Sequence, residues 1–164
     1  MLQNIEYSLD MIGFFGPIIL LIMNSYLFFY RKYYLYAYIA FFFINGILNK
    51  MIKQMLKIPR PTNQLFFNKL EKLNGVEKYG MPSGHAQSIG YSIGFLCNMI
   101  SKTNNYFILA LFIGLITLNQ RYKYRRHSIP QLGIGLIIGL IFGNLVYYVT
   151  KYIVEPYKIV ENKI

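Results

Sequence analysis

Acidic residues are scarce in this chain of 164 residues: Asp and Glu number 6 against 17 Lys and Arg, giving a net charge of +11. Charged residues of both signs make up only 14% of the chain, against roughly 25% in soluble domains. Tryptophan is absent, and there is a single cysteine, Cys97. One thiol excludes an intrachain disulfide framework and a multi-thiolate zinc site. The chain is instead 55% apolar and 18% aromatic, which excludes a disordered basic tail. It also argues against a soluble nucleic-acid binder, because so apolar a chain must carry its positive charge in a few short segments. A membrane protein with basic loops fits these numbers.

Five runs carry no charged side chain: residues 11–30, 33–49, 83–101, 103–120 and 129–150. A hydrocarbon core of about 30 Å needs about 20 helical residues, with a range of roughly 17–25. In lipid a helix satisfies its own backbone hydrogen bonds. The sequence therefore predicts an all-α integral membrane bundle of about five transmembrane helices, near 11–30, 33–52, 83–101, 103–120 and 129–152. The whole chain, 1–164, reads as one membrane domain with a polar loop between helices two and three. A soluble bundle would need charged helix faces, and these runs offer none. A cleaved signal peptide is not expected, since residues 1–10 hold Glu6 and Asp10 rather than a basic segment.

Helix alternation places the 50–82 loop and the 121–128 connection on one membrane face, with eleven of the 17 basic residues. Three motifs lie there. Lys53 closes helix two and is followed by Arg60, which is bracketed by Pro59 and Pro61 in stiff, extended backbone. Pro82-Ser83-Gly84-His85 opens helix three, where Ser83 suits an N-cap and free N–H groups favour phosphate. Arg121, His127 and Gln131 span the last connection, with Pro130 suited to a first helical turn. Gln131 can bond one nitrogen of His127 and leave the other for a substrate. Taken singly, these motifs also read as a basic helix end beside anionic headgroups, an ordinary capped helix start, and a basic connector with an incidental histidine.

Together they read differently. The chain has two histidines, and both stand at helix starts on the face that carries Lys53, Arg60 and Arg121. Two imidazoles and several fixed cations provide a nucleophile, a general acid and an anion clamp for phosphoryl transfer. The long loop has only Glu71 and Glu77 as acids, so no metal site and no cofactor are expected.

Lys-x6-Arg-Pro at 53–61, Pro-Ser-Gly-His at 82–85 and Arg-x5-His at 121–127 resemble the three signatures of the type 2 phosphatidic acid phosphatase (PAP2) superfamily, in the same order. The resemblance implies a membrane lipid phosphatase. His127 would be the nucleophile that forms a phosphohistidine, and His85 the general acid. Lys53, Arg60, Ser83, Gly84 and Arg121 would bind the phosphate. Two positions depart from the usual pattern: Gln120 stands where the superfamily has Ser, and Gln131 where it has Asp. Gln131 would orient His127 without supplying charge. The context from Lys78 to Gln87 is similar to the dolichyl diphosphate phosphatase branch, which also carries Gln at the place of Gln131.

The expected function is hydrolysis of a lipid phosphate or diphosphate, leaning to a polyprenyl (dolichyl) diphosphate. Phosphatidate or another lipid phosphomonoester is the alternative substrate, and a catalytically inactive relative that binds anionic lipid is the alternative role. The expected partners are the lipid substrate and membrane lipids, with no nucleic acid. The usual membrane member has six helices; this chain matches all but the first. Loop charge by itself favours a cytoplasmic motif face, whereas the resemblance implies a lumenal or extracytoplasmic one, which is the expectation adopted.

Overall fold

The computed structural model describes residues 2–73 and 77–161. Its helices are α1 (Leu2–Leu27), α2 (Lys32–Leu56), α3 (Lys69–Leu73), α4 (Gly84–Met99), α5 (Asn105–Lys123) and α6 (Ile129–Glu161). The five long helices correspond to the five apolar runs, and α3 is a short addition within the polar loop. Three of them, over Gln3–Leu27, Lys32–Leu56 and Ile129–Pro156, have the length and hydropathy of a membrane span by themselves. Their outward faces carry exposed Ile18, Ile22, Phe43, Ile47, Ile137 and Ile141, an apolar surface suited to lipid.

Helix ends differ from the charge-free runs where acids and bases neutralise one another. α1 begins at Leu2 rather than near residue 11. Its Glu6 and Asp10 receive Lys123 Nζ from the end of α5 at 2.6 and 2.7 Å, and Tyr124 Oη donates to Asp10 at 2.9 Å. This contact puts the N-terminal end of α1 on the motif face. α2 runs on to Leu56 and stops at Lys57, which adopts a left-handed conformation with φ 53°. Ser83 caps α4, its Oγ accepting from Ala86 N at 3.4 Å, and Asn104 caps α5 in the same way through Tyr106 N at 2.9 Å.

α4 is the centre of the bundle and α6 lies parallel along it. Glycines set their separation. A Cβ on Gly135 would stand 2.6 Å from Ser83 O, and one on Gly94 would stand 2.5 Å from Leu140 O. A Cβ on Gly139 would collide with the Gln87 carbonyl oxygen. Small residues at four-residue spacing allow such close approach of membrane helices. Polar side chains then tie α2 to α4 inside the bundle. Tyr38 Oη lies 2.8 Å from Ser92 Oγ, and Asn24 Nδ2 donates to Tyr38 Oη at 3.2 Å. Nearer the motif face, Gln87 Nε2 donates to Asn45 Oδ1 at 2.9 Å while Asn49 Nδ2 donates to Gln87 Oε1 at 2.8 Å. Buried polar groups need such partners in a medium without water.

Candidate active site

The three motifs converge because of where their helices end. α2 and α5 deliver Lys53 and Arg121 at their last turns, and α4 and α6 start beside them. A cavity of about 300 Å³ opens between these ends, lined by Lys53, Arg60, Gly84, His85, Arg121 and His127 among others. Of the residues expected at the site, Ser83 and Gln131 do not line it. Ser83 is fully buried, its hydroxyl engaged as the α4 cap. Gln131 sits behind His127.

Gln131 joins all three motifs. His127 precedes α6, and Gln131 lies in its first turn. Gln131 Oε1 accepts from Ser128 N at 3.2 Å, half of a capping box, and lies 3.3 Å from His127 Nδ1. Its Nε2 donates to Pro59 O at 2.8 Å, and its backbone oxygen accepts from Ser83 N at 3.0 Å. Gly80 passes between Arg60 and Gln131, where a Cβ would stand 2.8 Å from side-chain atoms of both.

The other ring nitrogen, His127 Nε2, lies 3.4 Å from Arg60 Nη1. Arg60 is held by three further bonds: Nη1 donates to Arg126 O at 3.2 Å, Nε to Glu77 O at 3.0 Å and Nη2 to Glu77 Oε2 at 3.0 Å. Burial pushes the His127 imidazole down to about 2, helped by Arg60, Arg121 and Lys53. Burial and the neighbouring cations thus favour the neutral form of this ring. His85 Nε2 lies 3.1 Å from Phe14 O in α1 and donates to it, since a carbonyl only accepts.

The two loop carboxylates sit inside this cluster of cations. Glu77 Oε2 bridges Lys53 Nζ and Arg60 Nη2. Burial raises the Glu77 carboxyl, but the bonds and charges of Lys53 and Arg60 outweigh it and hold the group below the usual range. Glu71 Oε1 accepts from Arg121 Nη2 at 2.5 Å and lies 3.1 Å from Arg126 Nε. Among the described residues no three His, Cys, Asp or Glu side chains group as a metal-ligand set.

Sequence reasoning did not assign several of these parts. Arg126 falls among the unassigned positions of Arg-x5-His, and Glu71 and Glu77 enter the sequence reading only as too few acids for a metal. Asn49, which donates to Pro82 O at 3.2 Å and so holds the second motif in place, lies in a charge-free run. Its signal was the Asn-rich end of helix two.

Beside the polar cavity lies an apolar cleft of about 430 Å³, lined by Phe14, Phe15, Pro17 and Ile18 of α1, Phe42 of α2, and Gly84, His85 and Ser88 of α4. Phe14, Gly84 and His85 belong to both spaces.

The chain is 27% identical over 121 residues to a dolichyldiphosphatase of Saccharomyces cerevisiae, an alignment that takes in 68% of this chain and 50% of that protein. The chain thus spans about half the length of the curated relative it matches. In fold it is similar to the crystal structure of the first transmembrane PAP2 type phosphatidylglycerolphosphate phosphatase from Bacillus subtilis. The TM-score is 0.68 at 19% identity, over 94% of this chain and 79% of that one. Residues 32–155, all three motifs among them, match the PAP2 superfamily. An apolar helical bundle with these motif segments gathered at one end, matched over that length, makes this chain an integral membrane member of the PAP2 superfamily.

Proposed function

We propose that the chain is a membrane lipid phosphatase that cleaves a phosphate from a lipid phosphate or diphosphate, with a polyprenyl diphosphate as the favoured substrate. The observation that carries this reading is the sharing of His85 between a cationic cavity and an apolar cleft. A headgroup in the first space and a hydrocarbon chain in the second place the scissile bond beside His85. The yeast relative supports the choice of a polyprenyl diphosphate.

In this reading the phosphate enters among Lys53, Arg60 and Arg121, near the Gly84 backbone at the capped start of α4, and takes the place of the loop carboxylates. His127 Nε2 attacks phosphorus, the bond from phosphorus to the leaving oxygen breaks, and His85 in its imidazolium form, with Nε2–H kept on Phe14 O, gives its Nδ1 proton to that oxygen. A water then attacks the phosphohistidine, His85 takes its proton, and inorganic phosphate leaves with His127 restored. Arg60, beside Nε2, and the other cations stabilise the charge on the phosphoryl oxygens. We place the motif face on the lumenal or extracytoplasmic side, and the reaction without a metal.

The test is phosphate release by the detergent-solubilised chain from polyprenyl diphosphate, phosphatidate and diacylglycerol diphosphate, with chelator present. Release fastest from polyprenyl diphosphate, lost in His127→Ala, is the expected result. Preference for phosphatidate would replace the substrate, and release from none would overturn the reading. A Thr62→Cys probe in a Cys97→Ser background, labelled by an impermeant reagent in sealed vesicles, decides the orientation.

A further inference from the structure

Arg126 is one of the five unassigned positions between Arg121 and His127 in the third motif, yet it lines the same cavity. It is 3% exposed, and its guanidinium lies over the Phe66 ring at 5.0 Å from the centroid. Its Nε stands 3.1 Å from Glu71 Oε1 without the alignment of a hydrogen bond. Its Nη1 has no hydrogen-bond partner among the described residues. A buried guanidinium with unmade bonds is costly unless a ligand completes them. Arg121 Nε, on the other side of Glu71, is likewise without a partner among the described residues.

The cavity therefore holds two carboxylates, each set between two cations. Glu77 lies between Lys53 and Arg60, whose Nη1 is 3.4 Å from His127 Nε2, and Glu71 lies between Arg121 and Arg126. Two such places suit an anion with two charged groups better than an anion with one. We infer that Arg126, beside Arg121, forms a second anion position that takes the phosphoryl group of a diphosphate not under attack. Arg126 is then a specificity-determining residue that favours diphosphates over monophosphates. This inference rests on the phosphatase reading for its catalytic consequence, but its binding consequence can be measured separately.

Two measurements on the full chain in detergent test it. The first titrates inorganic pyrophosphate and orthophosphate by thermal shift. Wild type binds pyrophosphate more tightly, and Arg126→Gln weakens pyrophosphate about 10–100-fold while orthophosphate changes little, as loss of charge-assisted bonds predicts. The second compares kcat/KM for a prenyl diphosphate and the matching prenyl monophosphate, with a selective fall for the diphosphate. Equal falls for both ligands, or no fall for either, would overturn the inference. Glu71 keeps Arg121 as a partner in these variants, and Arg126→Met, close in volume, serves if the Gln variant does not fold. A wild-type chain that binds pyrophosphate selectively but releases no phosphate would sink the phosphatase reading and leave the second anion position standing.

Discussion

Gln131 Oε1 stands 3.3 Å from His127 Nδ1, and this contact decides which nitrogen faces the cavity. The amide orientation follows from its backbone partners. Ser128 N can only donate and Pro59 O can only accept, so the oxygen faces Ser128 and the nitrogen faces Pro59. His127 must then carry its proton on Nδ1 and present a bare Nε2. Aspartate at this place would supply charge but could not donate to Pro59. Gln131→Leu removes the acceptor, and kcat is expected to fall about 10–100-fold with KM little changed, the pattern of lost orientation. Steady-state kinetics on one lipid substrate measure both constants.

A second prediction concerns pH and stability. The folded-state pKa of His127 lies far below the ordinary imidazole value of 6.5, mainly through burial. Below that ordinary value the unfolded chain takes up a proton that the folded chain refuses. Stability is therefore full above about pH 6.5 and falls as the pH drops beneath it, by up to about 1.4 kcal/mol per pH unit from this residue. Thermal unfolding in detergent between pH 7 and pH 5 should show the decline, and His127→Gln should make it shallower.

Glu77 pairs with Lys53 and Arg60, and in the proposed reading phosphate would have to displace it. Replacing it by Gln keeps the shape and removes the charge. The inhibition constant of inorganic phosphate should fall about 3–10-fold in Glu77→Gln, the scale of one partly exposed ion pair. Unchanged inhibition would mean that the carboxylate already swings clear of the cations in solution.

The α4–α6 contact predicts opposite effects for two neighbouring glycines. Gly139→Ala drives a methyl group into the Gln87 carbonyl and should destabilise the fold by about 1–3 kcal/mol. Gly133, with nothing within 4 Å of its would-be Cβ, should tolerate alanine or gain up to about 1 kcal/mol from helix propensity. Thermal midpoints of the two variants, measured side by side, check the difference.

The helices were legible because charge-free runs of spanning length have few other structures open to them. Their ends were less legible. Glu6 and Asp10 lie outside the first charge-free run, and only Lys123, far along the chain, neutralises them within α1. Spacing singles out Lys53, Arg60, His85, Arg121 and His127, and these five residues line one cavity. Ser83, read both as an N-cap and as a phosphate ligand, has its hydroxyl on the helix cap. Arg126 and the two glutamates carried no spacing signal. Their positions depend on how the long loop folds back over the helix ends, and Leu65 N bonding to Tyr124 O at 3.0 Å is one of the contacts that sets it. Asn45, Asn49 and Gln87 lie within charge-free runs, and only the packed bundle reveals that they complete one another.

The apolar cleft beside His85 bears on where the work of catalysis falls. Lifting a lipid out of the bilayer costs about 0.8 kcal/mol for every methylene exposed to water. In the proposed reading, a groove among α1, α2 and α4 that meets the polar cavity would let a long chain stay in hydrocarbon while its headgroup reacts. Chain length would then add almost nothing to the barrier, and one small protein could serve lipids that differ widely in their tails.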